Sequence, residues 1–365
     1  MMNLLRSSGI VLLYTIGFLL AVSCSHTTEQ VQEVNTSGLP ELDLNHQFTI
    51  SDSEEVMLQQ ITGVQSDSEG RIFLQDPRAL QIHVFDTQGE YLTNIGRDGS
   101  GPGEFRSLLN IYIGQLDRLI VYDIRQAQNT VFVENDHHWE PVDLFLVEGH
   151  RYGIESADTE GNVILRQSQA QYPEPGAFWF EHELATGNLA SGLTEQNVLS
   201  FKERGILMSD SGSSKGLPFG RTTVVSTDPS GNIYLVWNEQ FELAVYNARM
   251  EHLDSLSVPI PNQPIDSEER DAAIDRLGND FRSLGHEHVP VTKPVISKMF
   301  VDGNRRIWLQ TFDSPEYLVL DREGTPLRSF DLEEDLRLVH ADTNRLYAME
   351  LSEEGYQIHV FDYQL

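Results

Sequence analysis

A short pattern recurs along this chain and limits its fold more than any other feature. An Asp is followed by two turn-forming residues, often by Gly, and then by an apolar run. The Asp side chain can accept hydrogen bonds inside a tight turn, Gly accepts a positive φ, and β-branched and aromatic residues favour strands. Each copy therefore predicts a β-hairpin. The six copies begin at Asp67, Asp117, Asp158, Asp228, Asp302 and Asp342.

A further alternating strand follows each hairpin, and two of these strands share the hexapeptide QIHVFD, at residues 81–86 and 357–362. Turns after Asp86 and Asp321 then lead to a fourth strand. Four antiparallel strands in about 40 residues are typical of a propeller blade. The sequence thus predicts an all-β fold, a six-bladed β-propeller with four-stranded antiparallel blades over residues 42–365.

The two ends of this domain predict how the ring closes. The last repeat has three strands and then the chain stops at Leu365, whereas a strand-like segment near residues 45–51 precedes the first repeat. We expect this N-terminal strand to supply the missing outer strand of the last blade, which hides sheet edges.

The N-terminus has the features of a targeting segment. Arg6 precedes an apolar stretch at residues 9–22, which is short for a permanent membrane span. The stretch ends in Ala21-Val22-Ser23-Cys24, which resembles the lipobox of bacterial lipoproteins, whose cysteine carries the lipid. We expect a signal peptide at 1–23, lipid attachment at Cys24 and a flexible polar tether at 24–41. The resemblance implies a cell-envelope protein. Ser25 favours the outer membrane, facing the periplasm or the cell surface.

The amino-acid composition limits the classes of molecule that the protein can bind. The chain has 56 Asp and Glu against 25 Lys and Arg, a formal net charge of -31, and only 4 of its basic residues are Lys. Nucleic-acid binding requires clustered cations, so we exclude it. Cys24 is the only cysteine, which excludes disulfides and cysteine metal clusters from the folded domain. We expect a monomer whose partner is a protein, peptide or glycan, with contact to the membrane through the lipid only.

One stretch carries a family resemblance. The run NIGRDGSGPGEF at residues 94–105 follows IHVFDTQGEYL, and Phe219-Gly220-Arg221 precedes the fourth hairpin. Both resemble NHL-type and TolB-like six-bladed propellers, in particular the six-bladed propeller lipoproteins of Bacteroidetes-like bacteria. The resemblance implies the fold and little about chemistry.

Two long segments interrupt the repeat, at about residues 197–221 and 261–294, and both fall between blades. On one face they would form a partial lid over the channel mouth. The second contains a helix near 266–284, capped by Asp266 and ended by Gly285, with one apolar stripe that we expect to pack on the propeller. The stripe consists of Ala273, Ile274, Leu277, Phe281 and Leu284.

The candidate ligand-binding residues lie on the same predicted face as the two inserts. An arginine cluster there could clamp a carboxylate or phosphate, although an ordinary salt-bridged distribution is the alternative. The candidates are Arg78, Arg97, Glu104, Arg106, Arg125, Arg221 and Arg282. His286 and His288 are weak metal candidates, because alternating residues of an extended loop point the same way.

These observations leave two functions open. The first is a non-catalytic binding or scaffold module, lipid-anchored, that acts through its loop-rich face without a cofactor. The second is a hydrolase or lyase with a divalent cation in the central channel, which rests on fold analogy alone. No catalytic residue is assigned, since the sequence contains no G-x-S-x-G, phosphate-loop or H-E-x-x-H motif.

Overall fold

The computed structural model describes residues 38–114, 117–135, 138–145, 152–168, 174–353 and 355–365, except the side chains of residues 168 and 197. The predicted signal peptide, Cys24 and most of the predicted tether lie outside these residues. The strands are β1 Leu44–Ile50, β2 Gly63–Ser66, β3 Ile72–Asp76, β4 Gln81–Phe85, β5 Tyr91–Ile95, β6 Leu108–Ile113, β7 Leu119–Asp123, β8 Gln128–Asn135, β9 His138–Phe145, β10 Gly153–Ala157, β11 Asn162–Ser168, β12 Gly176–Asn188, β13 Gly192–Met208, β14 Ser214–Gly216, β15 Thr223–Thr227, β16 Ile233–Trp237, β17 Phe241–Tyr246, β18 His252–Val258, β19 Ile296–Val301, β20 Ile307–Thr311, β21 Glu316–Leu320, β22 Pro326–Asp331, β23 Leu336–Ala341, β24 Arg345–Ser352 and β25 Gly355–Tyr363. The helices are α1 Ser267–Leu277 and α2 Arg282–His288, joined by a 3₁₀ turn at Asn279–Phe281.

Six antiparallel sheets form the six blades, as the repeats predict. Blades one to five are β2–β5, β6–β9, β10–β14, β15–β18 and β19–β22. The last blade takes β23, β24 and β25 from the C-terminus and β1 from the N-terminus, with Leu44 paired with Tyr363 and Ile50 paired with Ile358. The predicted closure by an N-terminal strand is therefore confirmed.

In five blades the hairpin between the first and second strands begins at a repeated Asp. In the second blade the turn begins at Gly114 and Asp117 closes it, with the Asp117 N–H donating to the Gly114 carbonyl at 3.0 Å. In the fourth blade, Asp228 Oδ1 accepts hydrogen bonds from the backbone N–H groups of Ser230 and Asn232, at 2.9 and 3.0 Å. Gly231 has φ 86°, and a Cβ there would lie 2.6 Å from the carbonyl oxygen of Ala157 in the neighbouring blade. We call the end of the propeller that carries these six turns the Asp-turn face, and the opposite end the loop-rich face.

The hydrophobic core lies between successive blades. Trp308, Tyr317 and Phe330 pack at the junction of the fifth and last blades, with the Tyr317 and Phe330 rings stacked 5.0 Å apart. Ile72 and Leu74 pack against Tyr347 where the last blade meets the first. Each such side chain contributes about 1.5 to 3 kcal/mol through burial. Because the clusters join neighbouring blades, each blade depends on both of its neighbours.

The third blade departs from the predicted architecture. We expected residues 197–221 to form a junction loop, but residues up to Met208 belong to β13, which pairs with β12 beyond the reach of β11. A fifth strand, β14, then pairs with the end of β13. Only residues 209–222, apart from β14, remain as turns and connections. The serine-rich run itself does form a turn between β13 and β14, in which Ser209 Oγ lies 2.8 Å from Ser211 Oγ and accepts a hydrogen bond from the Ser213 N–H at 3.2 Å.

The helical insert is confirmed, with one correction. Asp266 caps α1 by accepting a hydrogen bond from the backbone N–H of Glu269 at 2.8 Å. Gly285 does not end the helix: α1 ends at Gly278, which has φ 84°, and Gly285 lies inside α2. A Cβ at Gly285 would lie 3.0 Å from Ile274 and Leu277 side-chain atoms, so this glycine allows α2 to approach α1 closely. Neither described helix is long and apolar enough to cross a membrane.

The chain enters the propeller beside the Asp-turn face. Residues Asp43 and Asn45, at the start of β1, share a cleft with Ser68, Gly70 and Asn344, which belong to Asp turns of the first and last blades. β1 then runs toward the loop-rich face, antiparallel to β25. β1 therefore begins at the end of the propeller opposite to the inserts.

Candidate functional site

The two segments that interrupt the repeat fold together on the loop-rich face. The extended ends of β12 and β13, with β14, form a small sheet that stands above the third blade, and α1 and α2 pack on it. Ile274, Leu277 and Phe281 of the helical segment contact Leu207 and Leu217 of this sheet. We call this unit, residues 174–182, 202–222 and 261–294, the insert body. We expected the apolar helix stripe to pack on the propeller, but it packs on the sheet of the other insert.

A buried arginine and a partly buried lysine fasten the insert body. Arg221 is 8% exposed and donates from Nη1 to the Thr292 carbonyl at 2.9 Å and from Nη2 to the Thr292 hydroxyl at 2.7 Å. Burial lowers the pKa of Arg221 below its ordinary value. Lys293 pairs with Glu269 of α1 at 2.7 Å and with Asp313 of the fifth blade at 3.0 Å. These contacts join both inserts to each other and to the propeller.

The insert body presents aromatic rings on the side of β12 that faces away from the helices. Ala177 and Trp179 pack toward the helices, and the alternation of the strand places Phe178 and Phe180 on the opposite side. The Phe178 and Phe180 rings meet edge to face at 5.7 Å, and the Arg204 guanidinium lies 5.3 Å from the Phe180 ring centre. Both rings are half-buried and Arg204 is exposed. The surface combines apolar area with a cation.

The structure places the predicted ligand-face residues on the loop-rich side but pairs them locally. Arg97 binds Glu104 at 2.8 Å, and the hydrogen bond from Gly101 N–H together with Arg97 lowers the pKa of Glu104. Arg106 lies 3.4 Å from Asp98, and Arg282 lies 2.9 Å from Asp275. The first two pairs lie in the loop between β5 and β6, and the third lies in the helical segment. They do not converge on the channel axis.

Arg78 and Arg125 occupy matching turns between the second and third strands of the first two blades. Both side chains are exposed, and their backbone N–H groups donate to Asp76 and Asp123. With Arg221 buried inside the insert body, the seven candidates form no common cluster. Their role as a ligand site stays a prediction.

Asp76 and Asp123 were missed by sequence reasoning and are the buried anchors of this face. Asp76 accepts from the backbone N–H groups of Gln59 and Ala79, at 2.7 and 3.0 Å, and from the His83 ring at 3.3 Å. Burial would raise the pKa of Asp76, but these hydrogen bonds outweigh it and lower the pKa. A signal existed in the sequence, since each Asp ends a strand two residues before an Arg.

The two weak metal candidates do not share a side. We expected His286 and His288 in an extended loop, but both lie in α2, where residues two apart are separated by roughly 200° around the axis. His288 instead lies 3.7 Å from Glu287. Within the described residues, no group of three or more His, Cys, Asp or Glu side chains is arranged to hold a metal ion.

A cavity of about 570 Å³ lies in the channel at the Asp-turn face, lined by all six blades. Ser66 of the first blade faces the last blade there: its Oγ lies 3.0 Å from His340 Nε2 and donates to Asp342 Oδ2 at 3.3 Å. The Tyr347 hydroxyl donates to the same Asp342 oxygen at 2.8 Å. Burial lowers the pKa of His340, while the Asp342 charge opposes that shift. Because Ser66 contacts the carboxylate as well as the imidazole, these side chains link the first and last blades.

Comparisons with known proteins agree with this fold. Residues 33–133 match the family model DUF5128, described as a 6-bladed beta-propeller. A Bacteroides fragilis NCTC 9343 protein thought to be exported has a similar structure, with a TM-score of 0.53 and 13% identity over 90% of this chain and 95% of that one. A DUF4221 family member from Bacteroides vulgatus ATCC 8482 has a TM-score of 0.51 and 10% identity over 89% and 99%.

Enzymes also occur among the similar structures. Virginiamycin B lyase from Staphylococcus aureus has a TM-score of 0.46 and 7% identity over 88% of this chain and 99% of that one. No curated protein matches the sequence. At these identities the similarity shows the six-bladed fold alone.

Proposed function

We propose that the protein is a lipid-anchored binding module of the cell envelope, without catalytic activity of its own, that engages its partner through the insert body. Attachment at Cys24 would hold it at the outer membrane, facing the periplasm or the cell surface. The lipobox-like sequence around Cys24 supports the anchor. The start of β1 at the Asp-turn face supports the orientation, because an anchor joined to the chain ahead of β1 would leave the loop-rich face free.

The observation that carries the proposal is the joint folding of both inserts. Two segments that interrupt the repeat at different points of the sequence share one hydrophobic cluster and are fastened by Arg221 and Lys293. Independent surface loops would not need a common core. A rigid body added to one face of a repeat scaffold is a usual means of presenting a binding surface.

The exposed side of the insert body supports a protein, peptide or glycan as partner. Aromatic rings and arginine are enriched at the centres of binding interfaces, where ring area is buried and the guanidinium donates hydrogen bonds. Phe178, Phe180 and Arg204 provide this combination on adjacent strands. The high negative charge elsewhere would discourage nonspecific contacts with anionic surfaces.

The proposal is tested with purified protein, lacking only the signal and lipid, immobilised and exposed to solubilised envelope extract. We expect a ligand that is retained by the wild type and lost from the double variant Phe178→Ser, Phe180→Ser. Its affinity, measured with the purified ligand, should fall by about tenfold or more, as for a central aromatic anchor.

The matched control is Leu92→Ser, which removes an equally apolar side chain that is 51% exposed on β5, outside the insert body. It should retain the ligand. Equal retention by the wild type, the double variant and the control would show that the insert body is not the binding surface.

A further inference from the structure

The innermost strands of the blades, which line the channel, carry few ionisable side chains. On β2, β6, β10, β15, β19 and β23 these are Tyr112, Glu155, Lys298, Arg337 and His340. Tyr112 is buried and donates to the Ala157 carbonyl, and Glu155 is neutralised by Arg166 at 2.7 Å. Lys298 and Arg337 lie toward the loop-rich ends of β19 and β23, in adjacent blades.

These two cations have no counter-ion in the described part of the chain. Of the four lysines, Lys202 lies over the Trp179 ring, Lys215 bonds to the Arg276 carbonyl, and Lys293 pairs with two carboxylates. Lys298 alone has no such partner among the described residues. It is half-buried, and burial together with the positive charge of Arg337 lowers its pKa.

Two unpaired neighbouring cations are notable in a chain with 56 acidic and 25 basic residues. Desolvating a charge beside a like charge is unfavourable unless an opposite charge is bound. An anion bound between them would offset both the desolvation of Lys298 and its repulsion from Arg337. Arginine supplies paired N–H donors for a carboxylate or phosphate, and lysine supplies a compact point charge.

The charges at the two ends of the channel differ in how they are paired. At the Asp-turn face, Asp67 and Asp228 already have cationic partners, Arg71 at 2.6 Å and Arg305 at 3.6 Å. Lys298 and Arg337, toward the other end, attract an anion. An anionic group would therefore approach from the loop-rich face, beside the insert body.

We propose that Lys298 and Arg337 form a binding site for an anionic oxygen group, a carboxylate or a phosphate, on a ligand that enters the channel from the loop-rich face. The inference rests on the proposed function in one respect, since it takes that face as the binding side. It adds to that function the chemical class of the ligand group that enters the channel, an anionic oxygen group.

The test is thermal unfolding of the purified protein with inorganic phosphate or citrate added, each at an ionic strength matched by sodium chloride. A response to phosphate would indicate that the site binds a phosphate group, and a response to citrate would indicate that it binds a carboxylate. We expect one of them to raise the melting temperature of the wild type, and Arg337→Gln and Lys298→Met to abolish that rise. Calorimetric titration should show binding that is about tenfold or more weaker in Arg337→Gln.

The matched control is Arg305→Gln, which removes one positive charge at the Asp-turn face, where Arg305 lies 3.6 Å from Asp228. It should keep the anion response of the wild type. Without added anion, Lys298→Met should melt above the wild type, because an uncompensated cation is removed. If Lys298→Met fails to fold, the anion response of Arg337→Gln decides the test, because Arg337 is exposed.

Absence of a response to both anions in the wild type, or an equal response in Arg337→Gln and Arg305→Gln, would overturn the inference. This experiment needs no envelope ligand. Its failure is therefore distinct from failure of the proposed function, which is decided by the variants of Phe178 and Phe180.

Discussion

Asp76 offers the sharpest test of how the loop-rich face is held. Its Oδ1 accepts from the N–H groups of Gln60, Arg78 and Ala79, and its Oδ2 accepts from Gln59 and faces His83. The change Asp76→Asn keeps the size of the side chain and replaces one acceptor oxygen by an NH₂ group. In either orientation, that NH₂ group meets backbone N–H donors. The substitution therefore removes one hydrogen-bond acceptor oxygen without creating a cavity.

The magnitude follows from the hydrogen bonds that are lost. A hydrogen bond to a charged group contributes about 1.5 to 3 kcal/mol, and an unsatisfied buried donor costs a similar amount. Gln59 and Gln60 are exposed, so water can replace part of the lost bonding there. We expect Asp76→Asn to lower the free energy of unfolding by about 2 to 4 kcal/mol, measured by urea denaturation at pH 7.

The pH dependence of that difference has a definite sign. The folded protein holds the pKa of Asp76 below its ordinary value of 3.8, so the carboxylate stabilises the fold at every pH above that value. The stability difference between wild type and Asp76→Asn should stay constant between pH 7 and about 5. It should then shrink as the pH falls through the lowered pKa, where the wild-type carboxyl is protonated.

Asp86→Asn is the matched control. Asp86 uses only Oδ1, which accepts from Gln88 and Glu90 at 2.8 and 2.9 Å, and an asparagine retains that oxygen. The fourth blade already has Asn247 in the same kind of turn, accepting from Arg249 and Glu251. Asp86→Asn should change stability by less than about 0.5 kcal/mol. Equal losses for the two variants would refute the reasoning.

Two further predictions concern the insert body and the anchor. Arg221→Met removes the hydrogen bonds to Thr292, so hydrogen exchange of the backbone amides in residues 261–294 should accelerate about tenfold, equivalent to about 1.4 kcal/mol. The control Arg249→Gln, which removes an exposed pair with Glu160, should leave those exchange rates unchanged. Equal exchange rates in both variants would show that Arg221 does not fasten the inserts. Cys24→Ser should abolish incorporation of labelled fatty acid and release the protein from membranes, and retention of the label would place the lipid elsewhere or exclude it.

The architecture was predictable because its signals are local and repeated. Asp228 and Gly231 specify a turn within four residues, and six copies count the blades. The closing role of β1 followed from that count, since the last repeat was one strand short. The N-cap at Asp266 was equally local, because a carboxylate three residues before Glu269 needs no tertiary contact to cap a helix.

The features that sequence reasoning missed depend on distant partners. Ser200 is strand because it pairs with Glu183, and composition could not show that pairing. Gly285 lies inside α2 because α1 packs against it, whereas its sequence context also suited a helix end. The candidate arginines pair with residues such as Asp98 and Asp275, and these partners are set by side-chain packing.

The position of β1 has a mechanical consequence. A chain held in a membrane through Cys24 would transmit any pull first to the hydrogen bonds of residues 40–42 with Ser329 of β22, and then to the ladder between β1 and β25. The load would act along the strand, so that the hydrogen bonds from Leu44 to Ile50 resist it together. The ladder between β1 and β25 would then be the point at which the force enters the whole ring.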